Sequence, residues 1–247
     1  MKLVFLGCGH GTATPEFAST STLLEAGNRH YLIDAADGTA HKLITRGLDP
    51  AQISAVMITH MHLDHTAGLP EVIRLGMKSR KNYPEINPRY LLADVAAAEC
   101  LRTWIDINGY KGAENLDFAA VSDGYSDEVL QMHTVKTRHL MPRSDKSFSL
   151  IVRAENKKIF FSGDLTADFS DFSIEEADGS DLAVVELTHY PIAKAIPFLK
   201  KIRVGKLVFN HRGGLYQREE GITATLEACA GLPYPVVLGK DGMEVEI

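Results

Sequence analysis

The chain has 247 residues, 45% of them apolar, and a formal net charge of −6. A chain of that length can bury a sizeable core and is expected to form one domain over residues 1–247, while its acidic balance disfavours generic nucleic-acid binding, which rests on phosphate neutralisation. No stretch is long enough to cross a bilayer, and Cys8, Cys100 and Cys229 lack CxxC spacing, which argues against a disulfide framework and for a reducing compartment, the cytoplasm by default. The apolar run at residues 3–6 is too short for a signal peptide and reaches glycine at once, so it reads as a first strand. The loop Gly7-Cys8-Gly9-His10-Gly11 lacks the G-x-G-x-x-G spacing and a following helix, so a dinucleotide site is discounted. His10 reads as a loop or core histidine ahead of a pocket-lining one, because no second ligand-type residue accompanies it. Strands at residues 21–24 and 31–34 lead to Asp34, whose bland reading is a cap for a helix at 40–45. A buried strand is expected at 53–58, an amphipathic helix at 68–78, a strand at 90–93 and a helix at 94–108 carrying Trp104, assigned to the core or to a homodimer interface. The segment from Lys78 to Arg89, with Arg80, Lys81 and Tyr83, is the most basic of the chain and reads either as a solvated face or as a phosphate-recognition patch. Further strands are expected at 119–121, 129–135, 148–153, 158–161, 181–187, 206–209, 236–238 and 244–247. Helices are expected at 192–201, with Pro191 in its first turn, and at 219–228. His133 falls inside a strand and reads as structural.

One stretch stands apart. Thr59-His60-Met61-His62-Leu63-Asp64-His65 places three imidazoles and a carboxylate within six consecutive positions after an apolar run. Crowding such groups strips their hydration, a cost that a bound cation offsets by taking them as ligands. His60 and His62 are two apart, which puts them on one face of an extended segment. Asp64 and His65 are adjacent and cannot easily share that direction, so they could serve a second metal. The bland alternatives are chance histidines in a polar loop or a single structural zinc.

His60-x-His62-x-Asp64-His65 after an apolar strand resembles the signature of the metallo-β-lactamase superfamily. That resemblance implies an α/β fold, a four-layer αβ/βα sandwich, and covers nearly the whole chain. It further implies a first metal held by His60, His62 and His139, and a second held by Asp64, His65 and His211. Asp164, at the strand end Ser162-Gly163-Asp164, would bridge both, and Asp34 would stand behind the metals and orient their ligands. Imidazoles and carboxylates in this number suit zinc first, with manganese or iron as alternatives. Two such ions, about 3.5–4 Å apart, would activate a bridging hydroxide and steady an oxyanion. Such a centre serves phosphodiesters, lactones, thioesters or lactams alike.

Asp64, together with the opening Leu6-Gly7-Cys8-Gly9-His10-Gly11 and the run Asp34-Ala35-Ala36-Asp37-Gly38-Thr39, resembles tRNase Z and the phosphodiesterases. Two departures stand out. Only 25 positions separate His139 from Asp164, too few for the long basic arm that bacterial tRNase Z carries there. The family's His-Glu-Ala-Thr appears as Val185-Glu186-Leu187-Thr188, so His189 is a substitute proton donor beside Glu186, or a helix-entry histidine without chemistry. The expectation is a dinuclear phosphodiesterase cleaving a small or cyclic nucleotide-type phosphodiester, with Asp64, Glu186 and His189 in catalytic roles. Arg80 and Lys81 would hold substrate phosphate, with Tyr83 or Trp104 available to stack on a base. A tRNA 3′-processing nuclease and a lactonase or thioesterase are the rivals; seven intact ligands argue against a non-catalytic binding protein.

Overall fold

A computed structural model describes residues 1–247. The first half contributes β1 (Lys2–Gly7), β2 (Ser21–Ala26), β3 (Arg29–Ile33), β4 (Ile53–Met57), β5 (Arg89–Leu92) and β6 (Asp117–Ala120), with helices α1 (Thr39–Thr45), α2 (Leu63–Thr66), α3 (Leu69–Ser79) and α4 (Ala97–Ile107). The second contributes β7 (Tyr125–Ser126), β8 (Leu130–Lys136), β9 (Phe148–Ala154), β10 (Lys157–Phe161), β11 (Leu182–Leu187), β12 (Lys206–Arg212) and β13 (Val236–Leu238). Its helices are α5 (Ile174–Ala177), α6 (Ile192–Leu199), α7 (Gly214–Gln217) and α8 (Glu219–Cys229), after which β14 (Glu244–Glu246) returns to pair with β1. Two seven-stranded sheets result, ordered β14-β1-β2-β3-β4-β5-β6 and β13-β12-β11-β10-β9-β8-β7. In each, four strands pair antiparallel (β14-β1-β2-β3 and β7-β8-β9-β10) and the rest continue in parallel, because parallel neighbours need crossover connections.

Period-two alternation sorts the strand side chains into layers. Leu3 and Phe5 face between the sheets, where they join Tyr31, Met57, Leu150, Val152, Phe161 and Val184 in a common core. Val4, Leu6, Leu32, Val56 and Ile58 point the other way and pack under α1, α3 and α4 through Leu43, Val72, Ile73 and Ile105. On the far side, Phe160, Val185 and Phe209 pack with Ala195 and Leu199 of α6 and Cys229 of α8. Helix, sheet, sheet, helix is the four-layer sandwich. No helix is long and apolar enough to cross a membrane.

Some expectations need correction. Asp64 and His65 sit in a short helix, α2, that the strand-and-helix reading does not include, and Pro191 is the residue before α6 instead of within its first turn. Asp34 does not cap α1, whose N-cap is Gly38. Trp104 is not core: it is 55% exposed, on the outer face of α4. His133 is half exposed on β8, 3.3 Å from Glu176. The two-residue β7 and four-residue α5 and α7 went unforeseen, since elements that short are set by tertiary contacts rather than by periodicity.

Candidate metal centre

The centre lies where parallel strands end, the usual place for a site in layered α/β folds. β3 leads directly into Asp34, and β4 runs into Thr59 and His60. β10 delivers Asp164, β11 delivers Glu186, and β12 carries His211. Asp34 and His211 both adopt left-handed backbone conformations, φ 56° and 46°. Such φ values cost of order 1–3 kcal/mol for residues with a side chain and persist only where surrounding bonds over-determine them. Here those bonds are visible: Asp34 N–H donates to the Met57 carbonyl at 2.9 Å, and the Thr188 hydroxyl donates to the His211 carbonyl. Gly163, with φ 56°, allows the turn that aims Asp164; a Cβ there would lie 2.3 Å from the Phe148 carbonyl oxygen.

Three groups of donor atoms, each mutually within 4.8 Å, share this space: His60, His62, His139 and Asp164; Asp64, His65 and His211; and Asp164, His189 and His211. Asp164 is their meeting point. Its Oδ2 is 3.6 Å from Nε2 of each of His60, His65 and His139, and its Oδ1 is 3.7 Å from His211 Nδ1. His211 Nε2 lies 3.1 Å from Asp64 Oδ2 and 3.2 Å from His65 Nε2, while His62 Nδ1 is 3.4 Å from His139 Nε2.

These distances suit a cation better than hydrogen bonds. Metal bonds of about 2.0–2.2 Å in tetrahedral array put neighbouring ligand atoms about 3.3–3.6 Å apart. Nε2 of His60 and Nδ1 of His211 are buried without a hydrogen-bond partner, an arrangement that is expensive unless a cation or solvent takes the lone pair. Charge agrees. Burial pushes the His60 pKa well down, so its lone pair is free. Burial also opposes a charged His65, yet Asp164 and Asp34 hold its pKa well above the usual imidazole range, a mark of the negative potential that a dication would neutralise. Asp164 stays ionised despite its own burial because His211, His65 and His60 surround it.

The supporting atoms are ordered. Asp34 Oδ2 accepts from His65 Nδ1–H at 2.7 Å, and its two oxygens accept from the Thr59 N–H and hydroxyl at 2.8–3.0 Å. That fixes the His65 tautomer with Nε2 facing Asp64 and His211. Glu186 plays the same part for His189: Oε1 accepts from His189 Nδ1–H at 3.0 Å and from Leu165 N–H at 3.0 Å, while Oε2 accepts from Thr188 N–H at 2.7 Å. His189 Nδ1 lies 3.8 Å from Asp164 Oδ2, and its ring stacks on His211 at 5.5 Å between centroids. Burial disfavours a charged His189, but the Glu186 hydrogen bond outweighs it and raises the pKa above the ordinary value.

Nearly all the expected site residues are brought together, the exceptions being Arg80 and Lys81. α3 runs 11 residues away from the metal loop, about 16 Å at 1.5 Å per residue. Gly76 already packs against Pro50, ahead of the start of β4, whereas the centre follows the other end of that strand. Arg80 bonds Asn87 instead. Closeness in sequence to His65 is undone by the helix between them. The residue underrated from sequence is His10, which lies near Asp64, His189 and His211; its bracketing glycines were the available signal.

Two helix-covered mixed sheets with this histidine–aspartate centre at their strand ends define the metallo-β-lactamase fold. YhfI from Bacillus subtilis, a metallo-β-lactamase fold protein, superposes with a TM-score of 0.78 at 17% identity, covering 100% of this chain and 99% of that one. Human tRNase Z, short form, superposes at 0.74 with 20% identity, again over 100% and 99%. Ribonuclease Z of Pseudomonas putida (strain GB-1) is 31% identical over 147 residues, 58% of this chain and 44% of that protein. The chain spans between 23% and 60% of the length of the curated relatives it matches. A family model described as "Anti-Pycsar protein Apyc1" matches residues 1–181, and the chain belongs to that family.

Proposed function

We propose that the protein is a dinuclear metal-dependent hydrolase that cleaves a small or cyclic nucleotide-type phosphodiester. The observation that carries this reading is the convergence of both donor clusters on Asp164 with the Glu186–His189 pair beside the same carboxylate. His60, His62 and His139 would hold one ion, Asp64, His65 and His211 the other, with Asp164 between them; zinc suits these donors first, manganese or iron next. Such a pair supplies an activated water as nucleophile and positive charge for the oxygens of the phosphoryl group. The chain's own groups do the rest. Asp34 and Thr59 keep His65 oriented, and Glu186 holds the Nδ1–H of His189 so that its Nε2–H is free to protonate the leaving oxygen as the P–O bond breaks. The products are an alcohol and a phosphomonoester, carried on one molecule where the diester is cyclic, and His189 regains its proton from solvent.

The segment between His139 and Asp164 bears on substrate size. It is taken up by the loop at residues 140–147, the β9–β10 hairpin of the second sheet and the strand-end residues 162–163. A small diester needs only the centre and a few nearby groups, whereas a large RNA needs many phosphate contacts. The likeness to ribonuclease Z supports the second reading, an RNA-processing nuclease. A small-diester enzyme of this kind needs no stable nucleic-acid partner. Three free cysteines accord with a cytoplasmic setting, and a homodimer with the exposed Trp104 and Ile107.

The test is a panel of cyclic nucleotides, short diesters, precursor tRNA, lactones and thioesters on metal-replete and chelator-treated protein, with elemental analysis. Two ions per chain, and kcat/KM for small diesters far above that for precursor tRNA with weak salt dependence, are expected. Efficient, salt-sensitive tRNA cleavage beside inert cyclic nucleotides would replace this reading with the nuclease, and turnover of lactones or thioesters alone with the other rival.

A further inference from the structure

The glycine-rich loop after β1 is no nucleotide fingerprint, yet it is tied to the centre. Arg212 N–H donates to the Cys8 carbonyl at 2.7 Å, joining the loop to the strand end that presents His211, and Gly9 N–H donates to the Ala18 carbonyl at 2.8 Å. Asp241 accepts from the N–H groups of Cys8 and Ala18 at 2.9 and 3.0 Å and pairs with Lys42 at 2.7 Å, so a carboxylate and an ammonium fix the loop from behind. In front, the backbone passes so close to Asp64 that a Cβ on Gly11 would lie 3.2 Å from Oδ2. With glycine on both sides, His10 is the side chain this stretch presents.

The His10 ring is half-buried, and its Nε2 lies 3.7 Å from the position of a Cβ on Gly214, three residues beyond His211. Nδ1 accepts from the Thr12 N–H at 3.4 Å, which in the neutral imidazole leaves the hydrogen on Nε2, and that nitrogen bonds no other group of the protein. A donor without a protein partner, held rigidly beside Asp64 and His211, has the chemistry to meet an anionic oxygen. We infer that His10 is a substrate-contacting residue whose Nε2–H donates to a non-bridging oxygen of the phosphodiester on the Asp64–His211 side of the centre. The inference rests on the phosphodiesterase reading above and adds a contact to it.

His10→Ala and His10→Gln, prepared metal-replete, test it with bis(4-nitrophenyl) phosphate as substrate and inorganic phosphate as competitive inhibitor. His10→Ala is expected to keep wild-type metal content and melting temperature while kcat/KM falls about 10–100-fold, the loss typical of one hydrogen bond to a charged acceptor. The inhibition constant of phosphate should rise in parallel. His10→Gln, whose amide nitrogen reaches the position of Nε2, should recover most of both. Unchanged kinetics and phosphate affinity in His10→Ala would overturn the inference and leave the phosphodiesterase reading intact. Metal loss or a lowered melting temperature in both variants would overturn it in favour of a structural role. Wild-type protein inert on the diester but active on lactones would end both.

Discussion

The two halves of the molecule repeat one plan and differ in how they supply the centre. Each sheet starts antiparallel, ends parallel and presents side chains at the ends of its parallel strands. The first half concentrates its donors: His60, His62, Asp64 and His65 leave one strand and one helical turn, with Asp34 from the adjacent strand behind them. The second half scatters them, with His139 after β8, Asp164 after β10, the Glu186–His189 pair around the end of β11 and His211 on β12. A donor set confined to six positions is largely pre-assembled by local geometry. A set spread over more than seventy exists only once the second sheet has formed. Asp164 joins the two, 3.6 Å from His60 and His65 on one side and from His139 on the other.

That contrast can be broken at its joint. Asp164→Ala should release both ions together and abolish hydrolysis, whereas His211→Ala should chiefly empty one site, both read by elemental analysis; retention of two ions in Asp164→Ala would show that the halves bind metal independently. Removing the second half's proposed proton donor comes next in size. His189→Ala should slow diesters with poor leaving groups by about 10²–10⁴-fold and spare activated nitrophenyl esters; equal losses on both would mark a structural histidine. On the first half, Asp34→Asn should weaken metal binding about 10–100-fold while leaving the fold intact, as measured by competition with a chelator dye.

Asp127 sharpens the comparison because it ties the halves together away from the donor cluster. Its carboxylate accepts from Arg29 Nη1 at 3.0 Å and the Tyr31 hydroxyl at 2.8 Å in β3, and from the Tyr125 hydroxyl and the Val129 and Leu130 N–H groups at 2.8–2.9 Å. Burial would raise its pKa, but these donors prevail and lower it. Stability from this group is therefore present above the unfolded value, about 3.9, and is lost as pH falls through the lower folded value. Asp127→Asn should cost about 2–3 kcal/mol at neutral pH and flatten the acid limb of the unfolding curve; an unchanged limb would exclude Asp127 as its source. The smallest effect is expected from Arg80→Ala with Lys81→Ala. Because α3 carries both away from the centre, KM for small diesters should stay within about twofold of wild type, a change worth no more than a surface substitution; a large rise would restore them to the substrate site.

The sequence by itself determined most strands and helices and the first half's donors, because alternation of apolar residues and the His60-x-His62-x-Asp64-His65 spacing are local properties of strand and turn, whereas the four-layer fold class was readable through the family resemblance. His139, Asp164 and His211 were readable only with the help of a family resemblance, since nothing in their own neighbourhoods sets them apart. Tertiary structure alone decided which side of a helix or sheet end each remaining residue reached. It moved Arg80 and Lys81 away along α3, turned Trp104 outward, and placed His10 beside Asp64 through bonds to Arg212, Asp241 and Ala18. Hydrogen bonds between residues up to more than two hundred positions apart fix that loop, and one-dimensional spacing carries no record of such bonds.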